Sequence, residues 1–240
     1  MIVNCSIKRP VLKYEHTSCE LVICLCQLEE YDTEADYSFL LNTREREYYS
    51  KLHYERKRKS YILGRYAAKT AVKTALNIES LTEIEIRNGI FDQPLIRCDK
   101  NEDLIVSISH SDNTGIAVVF PDSLSVGIDI EKINPDKYQL LENMMKSSER
   151  NCLGPREVNI KTLTMLWAVK EALSKCIKTG LTLSMDFFET KNQLQSDGYF
   201  KGEFVHFIQY QYLAVEINDH IAALVYPVKS VLTAEEEILV

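Results

Sequence analysis

The sequence predicts an α+β fold, a pseudo-twofold pair of similar lobes in which each lobe is a long helix packed on an antiparallel sheet. Helical periodicity occurs twice, at residues 42–76 and 161–178, and each helix is followed by short alternating segments with turn residues between them. A chain of 240 residues can bury a core in each half. We expect lobes at residues 1–122 and 123–240, joined by the loop 121–123, with a ligand cleft between them.

The first lobe is predicted from a helix start, a helix break and a hairpin. Asn42 and Glu45 have the spacing of a capping box, which indicates the beginning of a helix. An unbroken helix from there would be unusually long, so we expect an interruption near residues 52–54. Two alternating segments at 104–109 and 115–120 enclose turn-forming residues and predict an antiparallel pair.

The second lobe is predicted to open with the strand that contains Asp129. A polar segment at residues 134–157 follows, and it leads into the second long helix. Three further alternating segments then predict a meander whose last tight turn is Asn218-Asp219. These segments are residues 200–208, 211–217 and 221–226.

Composition and charge exclude several classes of protein. A net charge of −7 argues against general nucleic-acid binding, and no apolar run is long enough to span a membrane. The seven cysteines are odd in number, scattered and without a C-x-x-C pair, which argues against a zinc site and a disulfide framework. The first ten residues mix polar and basic with apolar side chains and do not have the pattern of a signal peptide. We expect a cytoplasmic protein.

The most informative segment is residues 126–131, in which apolar residues alternate with Gly127, Asp129 and Glu131. A strand with this pattern buries its apolar residues and points both acids to the other side. Exposed strands also carry alternating acids for solubility. Gly127 favours a site, because glycine weakens a strand interior but admits the close approach of a ligand or another backbone.

The second long helix adds a third acid and a base. Glu171 and Lys175 are four residues apart and are therefore neighbours on the helix surface. An ordinary surface ion pair is the alternative explanation, and Trp167 is expected to pack in the core. Together with Asp129 and Glu131, this pair suits a magnesium site with a cation beside it.

Two further clusters carry chemistry. Ser109 and His110 end the first hairpin strand, where they either bind a phosphate or shape the turn. The basic run 56–59 continues along the first long helix with Arg65, Lys69 and Lys73 as a cationic stripe, which is either a solvated face or a site for a polyphosphorylated ligand or an acidic protein partner. A P-loop, a G-x-G-x-x-G segment and a G-x-S-x-G elbow are absent, which argues against NTPase, dinucleotide-fold and serine-hydrolase interpretations.

These clusters, in this order, resemble the 4'-phosphopantetheinyl transferases of the surfactin-synthetase-activating (Sfp-like) type. The resemblance rests on Ser107-Ile108-Ser109-His110-Ser111, on Val126-Gly127-Ile128-Asp129-Ile130-Glu131-Lys132-Ile133 and on Trp167-Ala168-Val169-Lys170-Glu171-Ala172-Leu173-Ser174-Lys175. It covers most of residues 55–190. The first forty residues and the final meander match only in general character.

The resemblance implies transfer of the 4'-phosphopantetheine moiety of coenzyme A to a serine of an apo acyl or peptidyl carrier protein, releasing adenosine 3',5'-bisphosphate. Asp129, Glu131 and Glu171 would hold magnesium, with manganese as the alternative. Glu171 would take the proton from the carrier serine, directly or through a metal-bound water, and Lys175 would stabilise the leaving phosphate. A monomeric enzyme of secondary or lipid metabolism is expected.

The resemblance also implies a coenzyme A contact set. Ser109 and His110 would lie at the 3'-phosphate, with Arg58 or Lys59 nearby. Family members commonly have a lysine before proline in the segment that precedes the serine-histidine strand, whereas this chain has Gln93. Gln93 can form hydrogen bonds but brings no positive charge.

Alternatives from other classes stay open on the sequence. The chain could be a noncatalytic coenzyme A or carrier-protein binding protein, or a magnesium-dependent phosphodiesterase. Met144 and Met145 either lie near the carrier-protein contact or pack inside the lobe.

Overall fold

The computed structural model confirms the α+β class, since it combines helices with antiparallel sheets. It divides into two compact units, residues 1–11 with 19–123 and residues 12–18 with 124–240. Residues 12–18 thus group with the C-terminal half, which the sequence pattern did not indicate. The pseudo-twofold relation of the lobes stays a prediction. The structure describes residues 3–15, 17–33, 35–90, 92–100, 103–153, 158–196 and 199–233, so residues 154–157 of the predicted polar segment lie outside it.

The first unit is built on a four-stranded antiparallel sheet with a long helix across it. The elements of the N-terminal half are β1 (Val3–Lys8), β2 (Val11–Tyr14), β3 (Thr17–Glu20), β4 (Val22–Leu28), α1 (Thr43–Ser50), α2 (Glu55–Leu76), β5 (Glu85–Asn88), β6 (Pro94–Arg97), β7 (Leu104–Ser111) and β8 (Thr114–Pro121). The strand order is β1-β4-β8-β7, and α2 packs on β4, β7 and β8. Strands β5 and β6 form a separate hairpin.

The predicted helix start and helix break are both confirmed. The Asn42 side chain accepts a hydrogen bond from the Glu45 backbone N–H at 3.0 Å, and Glu45 Oε2 accepts one from the Asn42 backbone N–H at 3.1 Å. The helical segment is interrupted between Ser50 and Glu55. Arg58 Nε donates to the Leu52 carbonyl there at 2.6 Å, which satisfies an acceptor that the break leaves open.

The second unit carries a five-stranded antiparallel sheet with α5 packed on β9, β12 and β13. Its strand order is β10-β11-β12-β13-β9, and β14 joins β2 and β3 in a smaller sheet. The predicted meander is confirmed as three successive strands, while β10 and the helices before α5 were not predicted. The elements are β9 (Gly127–Lys132), α3 (Tyr138–Asn143), α4 (Ser147–Leu153), α5 (Ile160–Cys176), β10 (Thr190–Ser196), β11 (Tyr199–Phe204), β12 (Tyr210–Ile217), β13 (His220–Pro227) and β14 (Ser230–Leu232).

A buried ion pair joins the short and long helices of the first unit. Glu45 of α1 is 3% exposed, and its Oε2 pairs with Lys69 of α2, which is fully buried. Its Oε1 accepts a hydrogen bond from the Ile86 backbone N–H at 3.1 Å, at the second residue of β5. A buried carboxylate is tolerable here because an ammonium and backbone donors compensate its charge.

The second unit repeats this arrangement with different residues. Glu149 of α4 accepts from Lys170 Nζ of α5 at 2.8 Å, and it caps the backbone N–H of Lys146 at 3.0 Å. Its Oε1 accepts from the Thr190 backbone N–H at 3.0 Å, at the first residue of β10. The two halves therefore share a residue-level repeat that the sequence alone did not reveal.

Helix and sheet of the second unit approach each other closely at Gly127. A Cβ atom at this position would lie 2.0 Å from the Ala172 carbonyl oxygen and 2.7 Å from the Cys176 backbone nitrogen. Both contacts are with the backbone of α5, which has little freedom to move aside. The glycine is required because β9 and α5 touch, so its role is close approach of another backbone, one of the two explanations considered for it.

We predict that Gly127→Ala lowers the free energy of unfolding by about 3 kcal/mol, since the added methyl group separates β9 from α5. The matched control is Gly64→Ala in α2, where a Cβ would lie at an ordinary 3.4 Å from Ile108 Cγ2. We expect Gly64→Ala to be neutral or stabilising by up to about 1 kcal/mol. Urea-induced unfolding measures both, and equal stabilities of the two variants would contradict this packing role.

Candidate functional site

Strand β9 presents its acidic residues to α5 and not to water. Ile128 and Ile130 are fully buried on the other side of the strand, as the alternation predicts. Asp129 is also buried, at 3% exposed, while Glu131 is half-buried. The explanation that these acids serve solubility is therefore wrong for Asp129, because a buried carboxylate costs solvation free energy and contributes nothing to a wetted surface.

Helix α5 supplies the partners of these acids from one stripe. Trp167, Glu171 and Lys175 are spaced by four residues and so follow one another along the helix face. Lys175 Nζ donates to Asp129 Oδ1 at 2.6 Å, and Trp167 Nε1 donates to Glu131 Oε1 at 3.0 Å. The packing role expected for Trp167 missed this hydrogen bond, which orients an acidic side chain of the site.

A second ammonium approaches the acidic pair from outside α5. Lys137 Nζ lies 3.6 Å from Glu131 Oε2, and the Lys137 side chain is 45% exposed. Such an exposed pair contributes little to stability. Sequence reasoning missed this contact, because Lys137 lies in a short 3-10 turn beyond the end of the strand.

The setting of Glu171 alters the protonation of its carboxylate. Its pKa is raised to about 7, chiefly because burial disfavours the charged form. The negative charges of Asp129 and Glu131 contribute to the rise, and the positive charge of Lys175 opposes it. A carboxylate that ionises near neutral pH can both accept and return a proton under physiological conditions. Glu171 is therefore suited to general acid-base work.

The repeat between the two units separates structural from chemical residues on the long helices. When Lys69 of α2 is matched to its counterpart Lys170 of α5, Glu171 corresponds to Thr70 and Lys175 to Thr74. The first unit thus builds the same helix-on-sheet arrangement without this acid and base. Lys175 pairs with Asp129 of the strand, whereas an ordinary surface ion pair would join Lys175 to Glu171 along the helix.

The donor chemistry of the site fits a hard divalent cation. Asp129, Glu131 and Glu171 offer carboxylate oxygens, and their mutual repulsion is evident in the raised pKa of Glu171. Within the described ranges, no three acidic, histidine or cysteine side chains are already arranged as a metal centre. Lys175 contacts one oxygen of Asp129 and Lys137 approaches one oxygen of Glu131, so a cation at this site would share these carboxylates with two ammonium groups.

The serine-histidine cluster lies at the end of β7 and is joined to α2 by a lysine. Ser109 is buried at 7% exposed, whereas His110 is exposed and its ring lies beside Gly64 of α2. Lys59 Nζ donates to Asn113 Oδ1 in the turn that follows β7. The structure therefore brings Lys59 to the hairpin that carries Ser109 and His110.

Two of the basic residues of α2 do not belong to the predicted cationic face. Lys69 is fully buried against Glu45, and Arg65 Nε lies 3.7 Å from the same carboxylate. Arg58 donates to the Leu52 carbonyl and stands over the Tyr49 ring at 5.5 Å. The stripe interpretation is wrong for Arg65 and Lys69, because a carboxylate from α1 neutralises them.

Gln93 lies in the turn between β5 and β6. Its backbone carbonyl accepts from the Gly89 N–H at 2.8 Å, and its side-chain amide lies against Gly89.

Met144 and Met145 follow α3, and they differ in setting. Met144 is 36% exposed, whereas Met145 packs against the core of the second unit, which fits the packing alternative for Met145.

The segment that contains β9 and α5 is also the one that comparison with known proteins identifies. Residues 125–225 match the model of the 4'-phosphopantetheinyl transferase superfamily. The matched segment makes up less than half of the chain. The matched residues include Asp129, Glu131, Glu171 and Lys175. Ser109 and His110 lie outside the match.

Two individual proteins show the extent of the similarity. The chain is 31% identical over 99 residues to a 4'-phosphopantetheinyl transferase of Bacillus subtilis, which covers 40% of this chain and 42% of that relative. The chain thus matches less than half of the relative's length. A holo-(acyl-carrier-protein) synthase from Bacillus anthracis str. Ames, solved in complex with CoA (3',5'-ADP), is 24% identical with a TM-score of 0.37, over 46% of this chain and 96% of that one.

Among the residues that the structure describes, none of the helices has the length and apolarity needed to cross a bilayer.

We predict that Glu171→Gln removes a pH-dependent loss of stability. The pKa of Glu171 is raised from 4.5 to about 7 in the folded protein, so the folded state binds more protons than the unfolded state between these values. Wild-type stability should therefore fall, relative to Glu171→Gln, as pH rises through this interval, and the difference should level off above it.

Chemical unfolding at a series of pH values, with a chelator present, measures this difference. Glu47→Gln, which replaces an exposed carboxylate of α1, is the matched control. A constant difference between wild type and Glu171→Gln across the interval would contradict the raised pKa.

Proposed function

We propose that this protein transfers the 4'-phosphopantetheine group of coenzyme A to a serine of an apo acyl or peptidyl carrier protein. The proposal is carried by one observation, the convergence of Asp129, Glu131, Glu171 and Lys175 within the segment that matches the superfamily. The products are a holo carrier protein and adenosine 3',5'-bisphosphate. We further infer that the enzyme is of the Sfp-like type, cytoplasmic and monomeric.

The proton of the carrier serine goes to Glu171 in this proposal. Support comes from its half-buried carboxylate, whose pKa of about 7 leaves a substantial ionised fraction at neutral pH. The serine oxygen then attacks the β-phosphorus of coenzyme A, which carries the pantetheine, and the bond to the bridging oxygen breaks. The ammonium of Lys175 stabilises the negative charge that develops on the leaving phosphate.

Magnesium is the cofactor that the donor set favours, with manganese as the alternative. Asp129, Glu131 and Glu171 would hold it, and when bound it would neutralise the pyrophosphate charge. Trp167 keeps Glu131 oriented toward the site through its indole N–H, at 3.0 Å. Aromatic packing fixes this donor more firmly than a flexible side chain could.

Coenzyme A needs a second contact region for its 3'-phosphate. We assign Ser109, His110 and Lys59 to it, because Lys59 is tied to the hairpin of the other two. Arg58 is the weaker candidate, since its guanidinium already binds the Leu52 carbonyl. Gln93 can add a hydrogen bond from the neighbouring hairpin.

The direct test is the mass of an intact carrier protein. Apo carriers of fatty-acid and peptide-synthetase type are incubated with coenzyme A, magnesium and the enzyme, with and without a chelator. We expect a gain of one phosphopantetheine that the chelator abolishes. Asp129→Asn and Lys175→Met should each reduce the rate at least about 100-fold, since each removes charge stabilisation at the reacting phosphate.

Lys161→Met is the matched control, because Lys161 begins the same helix but pairs with Glu216 away from the acidic cluster. It should react at the wild-type rate. Electron paramagnetic resonance of Mn²⁺ tests the ligands separately, and Asp129→Asn should weaken Mn²⁺ binding. Coenzyme A binding without any transfer would indicate a noncatalytic binding protein, and release of phosphopantetheine from holo carrier would indicate a phosphodiesterase.

A further inference from the structure

Three thiols share one face of the sheet in the first unit. Cys5 of β1 lies directly opposite Cys26 of β4, and Cys24 lies two residues from Cys26 on the same face. Cys24 and Cys26 are fully buried beneath α2, whereas Cys5 is exposed on the outer strand. All seven cysteines are free thiols.

Two of these three sulfur atoms are in direct contact. Cys5 Sγ and Cys24 Sγ are 3.3 Å apart, and the two thiols form a hydrogen bond. The hydrogen bond from Cys24 lowers the pKa of Cys5, while burial of Cys5 partly opposes this effect. Cys24 is affected in the opposite direction, because the bond and its burial raise its pKa. Cys5 is thus the sulfur that forms a thiolate more readily.

We propose that Cys5 and Cys24 are a redox-active pair that a hydroperoxide converts to an intramolecular disulfide. The contact supplies what such a pair needs, an accessible attacking sulfur with a second sulfur already beside it. The proposal concerns a modification site that is separate from the transferase chemistry and does not depend on it.

The reaction takes two steps. The Cys5 thiolate attacks the outer oxygen of the hydroperoxide, the O–O bond breaks, and Cys5 becomes a sulfenic acid while the peroxide leaves as an alcohol or water. Cys24 sulfur then attacks the Cys5 sulfur, its proton passes to the departing hydroxide, and water is released. Two electrons pass from the two sulfurs to the peroxide, and a dithiol reverses the change.

Cys26 is the competing partner for Cys5, and its setting argues against it. Its sulfur is directed at the Leu63 carbonyl of α2, 3.8 Å away. Burial raises the pKa of Cys26 to about 12, with the charge of Cys5 as a further cause. Cys26 therefore serves as a matched control in the same strand.

The test is oxidation of the native full chain with hydrogen peroxide, followed by alkylation, intact mass and peptide mapping. We expect the wild type to lose two hydrogens and to yield a linked Cys5–Cys24 peptide that a dithiol removes. Cys26→Ser should give the same linked peptide. Cys24→Ser should instead give a Cys5 sulfenic acid that dimedone traps.

Cys5→Ser, at an exposed position, should fold normally and lose both the linked peptide and the dimedone adduct at this site. Circular dichroism verifies the fold of each variant. The proposal is overturned if the native wild type yields no Cys5–Cys24 peptide. It is equally overturned if Cys5 links to Cys26 in preference to Cys24.

Discussion

The backbone of β9 touches the backbone of α5 at Gly127, and the arrangement of the acidic side chains depends on that approach. With the strand this close, Asp129 reaches Lys175 and Glu131 reaches Trp167 across the interface between strand and helix. Glu171 then lies half-buried near both acids, and this setting raises its pKa. Because Gly127 has no side chain, the strand approaches the helix closely enough for the carboxylates to interact.

The repeated Glu-Lys pairs show which part of each unit is framework. Glu45 with Lys69 and Glu149 with Lys170 join a short helix, a long helix and a strand in the same way. Removal of either partner of such a buried pair is strongly destabilising, because it leaves an uncompensated buried charge. On α5, Glu171 and Lys175 follow Lys170 of the buried pair. The matched positions of α2 carry Thr70 and Thr74.

Local patterns in the sequence predicted the site better than they predicted its surroundings. The alternation around Asp129 and the capping box at Asn42 depend on neighbours in the chain, and both are found in the structure. Helical spacing placed Lys69 on a polar face but gave no sign that Glu45 of another element would bury it. The bonds of Trp167 and Lys137 to Glu131 likewise required the tertiary structure. The strands of the first forty residues were also not assigned from the pattern.

The second unit adds an acid and a base to a framework that folds without them. A triple variant, Asp129→Asn with Glu171→Thr and Lys175→Thr, gives α5 the residues that α2 has and keeps the shape of the strand side chain. We predict an unfolding free energy within about 1 kcal/mol of the wild type, because the charges are removed together, with no detectable transfer to a carrier protein. A variant that unfolds, or one that still transfers phosphopantetheine, would contradict this account.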